Sequence, residues 1–168
     1  MSRDETAELA GTAIALLTAR GETVAAAESL TGGLVAAALT SVPGASAAFR
    51  GGVIAYAPDL KASVLGVPAG LLSAHGAVHP QVAAAMAEGA RTRLGATFGV
   101  ATTGVAGPDP ADGQPVGTVY IAAASAAGSA VSELVLTGSR SRIREATVQA
   151  VLSLLIRKIG EVTGEETS

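Results

Sequence analysis

Short apolar runs bounded by glycine or proline alternate with helix-patterned stretches over most of the chain, and this alternation constrains the fold more than any other feature. Residues 4–20 carry Leu9, Ala13, Ile14, Leu16 and Leu17 at helical spacing, and Gly21 follows the last basic residue, where a helix stop belongs. Residues 23–27 form a short apolar run that predicts a buried strand. A helix over 31–40 is broken by Pro43-Gly44. Residues 52–57 read as a second strand, after which Pro58 opens a helix, and Pro80 opens another that runs from 81 to 93. A third strand is expected over 98–102, then a long glycine- and proline-rich loop from Gly104 to Gly117. Strands over 118–124 and 131–136 follow, joined by a tight turn at Ala127-Gly128. A closing helix spans 141–159, with Ile143, Ala146, Ala150, Leu154 and Leu155 on its core side, and residues 161–168 form a polar, frayed tail. Alternation first and a hairpin later specify an α/β fold, with a mixed sheet of about five strands and helices on both faces.

Composition narrows the function classes. The 168 residues suit one domain spanning 1–168, and a hydrophobic fraction of 49% argues against disorder. Aromatics are only 2%, so the core must pack from alanine and small aliphatic side chains. A net charge of −3 disfavours a nucleic-acid binder, which needs a basic face. With no cysteine there is no disulfide and no thiolate metal site. The charged start is not a signal peptide, and no apolar run approaches the roughly 20 residues of a membrane span. The expectation is a soluble cytoplasmic protein that needs no cofactor. Its alanine-rich helix faces leave room for a homo-oligomer.

The absence of cysteine also restricts nucleophilic chemistry to serine or threonine. In Glu28-Ser29-Leu30-Thr31-Gly32-Gly33 a strand gives way to a helix, at the sheet edge where α/β domains bind ligands. Ser29 and Thr31 supply hydroxyls, while Gly32 and Gly33 let backbone amides approach an anion. The ordinary alternative is a helix cap. Ser46, within Pro43-Gly44-Ala45-Ser46, is a second candidate nucleophile. Tyr56 stands near a strand end with Lys61 about one turn into the next helix. A lysine can act as base only if burial or a positive neighbour lowers its pKa. Thr103, Gly104 and Gly107 sit at the mouth of the long loop, which can cradle a phosphate or a carbonyl with backbone amides. Arg140, Arg142 and Arg144 crowd the start of the last helix against its dipole, which hints at a bound anion. The two histidines, His75 and His79, lack partners for a metal site, and no Gly-x-Ser-x-Gly elbow is present.

Together these segments resemble a known family. Ala27-Glu28-Ser29-Leu30-Thr31-Gly32-Gly33, Pro43-Gly44-Ala45-Ser46, Gly52-Val53-Ile54-Ala55-Tyr56, Lys61, Gly76-Ala77-Val78, Thr103-Gly104-Val105-Ala106-Gly107-Pro108 and Pro115-Val116-Gly117-Thr118-Val119 occur in the order found in CinA carboxy-terminal domains, the nicotinamide-nucleotide amidases. The resemblance spans roughly residues 8–150. It implies a three-layer α/β/α sandwich and hydrolysis of nicotinamide mononucleotide to nicotinate mononucleotide and ammonia. It also implies the stand-alone form, without the amino-terminal molybdopterin-binding-like domain of longer members. Ser29, Ser46, Tyr56, Lys61 and Thr103 fall at the family's active-site positions. Leu30, Ala45 and His79 depart from its commoner residues, and His79 bears on the edge of the pocket.

The expected chemistry is a serine–lysine amidase. Ser29 or Ser46 attacks the carboxamide with Lys61 as base, and Lys61 or Tyr56 returns a proton to the departing ammonia. Amides near Gly32-Gly33 or Thr103-Gly104 hold the oxyanion, and glycine-loop amides with Arg140 or Arg144 hold the phosphate. The alternatives are a catalytically silent pyridine-nucleotide-binding module and an amidase for a related nucleotide amide.

Overall fold

The computed structural model describes residues 3–165, and side chains as far as Glu161. Five strands form one mixed sheet in the order β2-β1-β3-β4-β5. These are β1 (Val24–Glu28), β2 (Phe49–Ile54), β3 (Phe98–Gly104), β4 (Thr118–Ser125) and β5 (Gly128–Val135). β1 runs parallel to both β2 and β3, while β3–β4 and β4–β5 are antiparallel. Helices α1 (Arg3–Arg20), α2 (Leu34–Thr40) and α6 (Arg140–Glu165) cover one face, and α5 (Pro80–Arg93), joined by α3 (Pro58–Ser63) and α4 (Ala69–His75), covers the other. This is the expected three-layer α/β/α arrangement.

Strand alternation divides the core in two. Val24, Ala26, Phe98, Val100 and Ile121 pack with Ile14, Leu17, Leu152 and Leu155 on the α1/α6 side. Ala25, Ala27, Ala101, Ala122 and Ala124 pack with Val82, Met86 and Ala87 of α5 on the other. The second cluster is built largely of alanine, and the reason is distance. A Cβ added to Gly99 would lie 2.0 Å from the Ala87 carbonyl oxygen, so α5 rests directly on β3. The scarcity of aromatics in the sequence reflects this close layering.

Several boundaries differ from the sequence expectation. β2 begins three residues earlier, because Phe49 pairs with Val24 across an irregular register. α2 begins at Leu34 rather than Thr31, since Gly32 and Gly33 take φ of 55° and 108° in a turn before it. α4, none of whose residues is buried, and a three-residue 3-10 turn at Ala45–Ala47 give no periodic signal in the sequence. Leu16, assigned to the core, is 38% exposed. The last helix extends to Glu165, so the first part of the supposed frayed tail is helical, and the remainder lies outside the described residues, as do Met1 and Ser2. No helix of the described residues is long and apolar enough to cross a membrane.

The connections place the site. From β1 the chain passes through α2 to β2 on one side, then crosses back through α3, α4 and α5 to β3 on the other. The carboxyl ends of three parallel strands therefore diverge around the end of β1, which is the crevice where sheets of this kind bind ligands.

Candidate active site

Ser29 is the first residue past β1. Its amide donates to the Thr102 carbonyl of β3 at 3.1 Å, which continues the ladder one step beyond the strand. On the other side the Ala55 amide donates to the Glu28 carbonyl at 2.9 Å. The residue is thus held on rigid strand backbone, with its hydroxyl at the rim of a cavity of about 190 Å³.

Lys61 comes to the same point from α3. It is 1% exposed and its Nζ donates to Ser29 Oγ at 3.0 Å, to the Ala55 carbonyl at 2.7 Å and to the Tyr56 carbonyl at 3.3 Å. Pro58 at the first turn of α3 sets the helix at the strand end, and its short run brings Lys61 back over that end. Burial lowers the Lys61 pKa from 10.5 to about 8, against a smaller upward pull from Asp112. A base of that strength beside a hydroxyl is what serine activation requires.

The other predicted residues separate into two groups. Tyr56, Thr103, Gly104, Gly107 and Arg140 line the cavity with Ser29 and Lys61. Tyr56 offers Lys61 only its carbonyl. Its phenol accepts from Arg140 Nη2 at 3.2 Å, so its hydroxyl is directed to Arg140. Arg140 also donates to the Gly107 carbonyl, tying the long loop to the start of α6. Thr103 donates to the Ala77 carbonyl at 2.8 Å and fixes the wall formed by Ala77 and Val78. At Gly104 a Cβ would lie 2.7 Å from Val119 Cγ2 and 2.8 Å from the Thr118 carbonyl oxygen, so only glycine fits against β4.

Ser46, Thr31, Gly32, Gly33 and Arg144 are placed elsewhere. Ser46 is exposed in the 3-10 turn before β2, beside Thr40, Pro43 and Phe49. It lies at the amino end of β2 and Lys61 acts beyond its carboxyl end, a strand length of roughly 20 Å away. The Thr31 hydroxyl is buried and donates to Glu28 Oε1 at 2.6 Å. Gly32 turns its amide inward to the Ser29 carbonyl at 3.1 Å. The anion expected at the start of α2 is supplied by the chain itself: Glu28 Oε1 accepts from the Val35 amide at 2.9 Å and Oε2 from the Ala36 amide at 3.0 Å. Arg144 donates from Nε to the Leu30 carbonyl at 2.9 Å and from Nη2 to the Thr31 carbonyl at 3.3 Å, so it clamps the turn that follows the serine.

Glu28, Thr102 and Asp112 were not singled out from sequence as site residues. Glu28 stood in the quoted motif, but its partners lie across a turn and a helix start. Asp112, in the long loop with φ 51°, lines the cavity and acts on Lys61 through its charge. His79, at the start of α5, accepts from the Gln81 amide through Nδ1 at 3.2 Å and stacks on His75 with centroids 4.2 Å apart. Burial and the neighbouring His75 both lower its pKa.

A sequence model of the CinA C-terminal domain matches residues 6–159. A CinA-like protein from Frankia casuarinae is 52% identical over 158 residues, covering 94% of this chain and 36% of that protein. A CinA-like protein from Anaeromyxobacter dehalogenans is 51% identical over 149 residues, covering 88% and 36%. The chain therefore spans about a third of the length of these curated relatives. Among solved structures, the competence/damage inducible protein CihA from Agrobacterium tumefaciens superposes with a TM-score of 0.88 at 41% identity, covering 91% of this chain and 94% of that one. A CinA superfamily protein from Klebsiella pneumoniae gives 0.89 at 32% identity, covering 93% and 98%.

Proposed function

The chain belongs to the CinA C-terminal domain family, and on that footing we propose that it is a cytoplasmic amidohydrolase that converts nicotinamide mononucleotide to nicotinate mononucleotide and ammonia. The observation that carries this reading is the 3.0 Å contact between Lys61 Nζ and Ser29 Oγ at the cavity. When Lys61 is neutral, its two hydrogens stay on the Ala55 and Tyr56 carbonyls and its lone pair accepts the Ser29 hydroxyl. Ser29 Oγ attacks the carboxamide carbon as its proton passes to Lys61. The tetrahedral intermediate collapses with cleavage of the C–N bond, and the Lys61 ammonium gives that proton to the nitrogen, which leaves as ammonia. Lys61 then takes a proton from water as the water oxygen adds to the ester carbon; the C–Oγ bond breaks, Lys61 returns that proton to Ser29 Oγ, and the acid leaves and ionises to the carboxylate. The Ser29 carbonyl is turned to the Gly32 amide, so in a trans peptide the Leu30 N–H faces the opposite way, and it serves as an oxyanion donor. Arg140 and the Gly104–Gly107 segment take the phosphate.

The test is ammonia release from nicotinamide mononucleotide, nicotinamide riboside and free nicotinamide. Release from the mononucleotide, lost in Ser29→Ala, is the expected result. Preference for an unphosphorylated amide would remove the phosphate reading and leave a related amidase. Tight binding of the mononucleotide with no release would make the chain a nucleotide-binding module instead.

A further inference from the structure

We infer that Glu28 is a positioning residue for Ser29, acting through the hydroxyls of Thr31 and Thr102. This rests on Ser29 being the nucleophile. Glu28 is 1% exposed and takes no part in the proton transfers above. Its carboxylate accepts three hydrogen bonds, from Thr31 Oγ1, the Val35 amide and the Ala36 amide, all on groups that can donate. That arrangement fixes the direction of everything beyond it. Thr31 spends its only hydroxyl hydrogen on Glu28, so in the 2.8 Å contact between Thr31 Oγ1 and Thr102 Oγ1 the donor is Thr102. Thr102 then has only lone pairs left, and at 3.3 Å one of them shares the Ser29 amide hydrogen with the Thr102 carbonyl, which lies at 3.1 Å. A single polarised chain thus runs from the Ser29 N–H through two buried threonines to a buried anion.

The elements it joins are those whose relative placement sets the nucleophile. Glu28 ends β1, Thr102 lies on β3, and Val35 and Ala36 open α2. Each hydrogen bond strengthens the next when its donor is polarised, and the site is dry, because Thr31 and Thr102 are 0% and 1% exposed. An ordinary helix cap needs only the two α2 amides. The third bond, to Thr31, goes beyond that cap and continues through Thr102 toward Ser29.

The experiment measures Ser29 reactivity without a substrate. Wild type, Glu28→Gln, Thr31→Val, Thr31→Ser and Thr102→Val are treated with a fluorophosphonate from pH 6 to 10, and phosphonylation of Ser29 is followed by intact mass and peptide mapping. Misplacing a reacting group by up to about 1 Å costs up to roughly a hundredfold in rate. Labelling in Glu28→Gln, Thr31→Val and Thr102→Val should fall by that much, with the midpoint of the pH profile unmoved, because Lys61 is untouched. Thr31→Ser, which keeps the hydroxyl, should recover most of the loss, and kcat for ammonia release should fall while KM holds. Labelling within about twofold of wild type in folded Thr31→Val would overturn the inference and leave the nucleophile intact. A loss that Thr31→Ser fails to recover would overturn it too, since packing and not the hydroxyl would be at fault. A wild-type protein whose Ser29 is never labelled would overturn the nucleophile assignment and this role with it.

Discussion

Lys61 and Ser29 meet at 3.0 Å although 32 residues separate them, each carried past the end of a different strand. Lys61 is 1% exposed, and its amine faces two backbone carbonyls as well as the serine, so among the described residues no other side chain hydrogen-bonds to it.

This burial predicts the pH profile. Lys61 loses its proton at about 8, so roughly a tenth is neutral at pH 7, and kcat/KM should rise through a midpoint near 8 to a plateau. Asp112 pulls that pKa upward, so Asp112→Asn should move the midpoint to lower pH. A profile flat from pH 6 to 9 in the wild type would rule out Lys61 as the base. Stability follows the same group. Its folded pKa lies below the unfolded 10.5, so burial of the ammonium is unfavourable at all pH below about 8 and is relieved as pH rises from 8 to 10.5. The stability difference between wild type and Lys61→Met should therefore shift in favour of wild type across that window, as read by urea melts at each pH.

The two serines should behave differently. Ser29→Ala should lower kcat by at least about a thousandfold, as removal of a nucleophile does. Ser46→Ala, at the opposite end of β2, should keep kcat within about twofold. Ammonia release by the purified variants decides between them, and a dead Ser46→Ala with an active Ser29→Ala would reverse the assignment.

The contact of α5 with the sheet should be intolerant of a single methyl group. Gly99→Ala puts a Cβ 2.0 Å from the Ala87 carbonyl oxygen and 2.9 Å from the Arg91 amide, both backbone. It should cost roughly 3 kcal/mol, or about 6–12 °C in Tm. Gly70→Ala, in α4 with nothing within 4 Å, should be neutral or slightly stabilising. Thermal melts that leave Gly99→Ala at the wild-type Tm would contradict this layering.

Acid should loosen the start of α5. His79 Nδ1 caps the helix only when unprotonated, and its pKa is lowered from 6.5 by burial and by His75. The unfolded chain therefore takes up its proton first, and stability falls as pH drops below about 6.5. His79→Asn keeps a capping acceptor without a charge change, so its stability should fall less between pH 6.5 and 5. Equal losses in both proteins would place the acid sensitivity elsewhere.

The architecture could be read from local pattern because β1, β3, α5 and α6 each carry a long or strongly apolar signal. Ser29 and Lys61 were visible as residue types at strand-to-helix junctions. Their meeting was not, since it depends on β2 lying beside β1. Ser46 stood in the same run of motifs, but sequence order does not tell which end of a strand a residue occupies. Gly32-Gly33 and Arg144 looked like anion binders for sound local reasons. The anion at α2 turned out to be Glu28, and the partners of Arg144 are carbonyls more than a hundred residues away, contacts that no local rule encodes. α4 escaped because none of its residues is buried, so it carries no apolar stripe to read.

The reactive pair belongs to β1 and α3, whereas the loop between β3 and β4 supplies Gly107, Asp109 and Asp112 as the facing wall. The serine–lysine pair and the wall that faces it therefore come from separate stretches of chain, coupled through the charge of Asp112 on Lys61. On the proposed reading, recasting the 105–116 segment around an unchanged Asp112 would alter what the cavity accepts while leaving Ser29 and Lys61 where they stand.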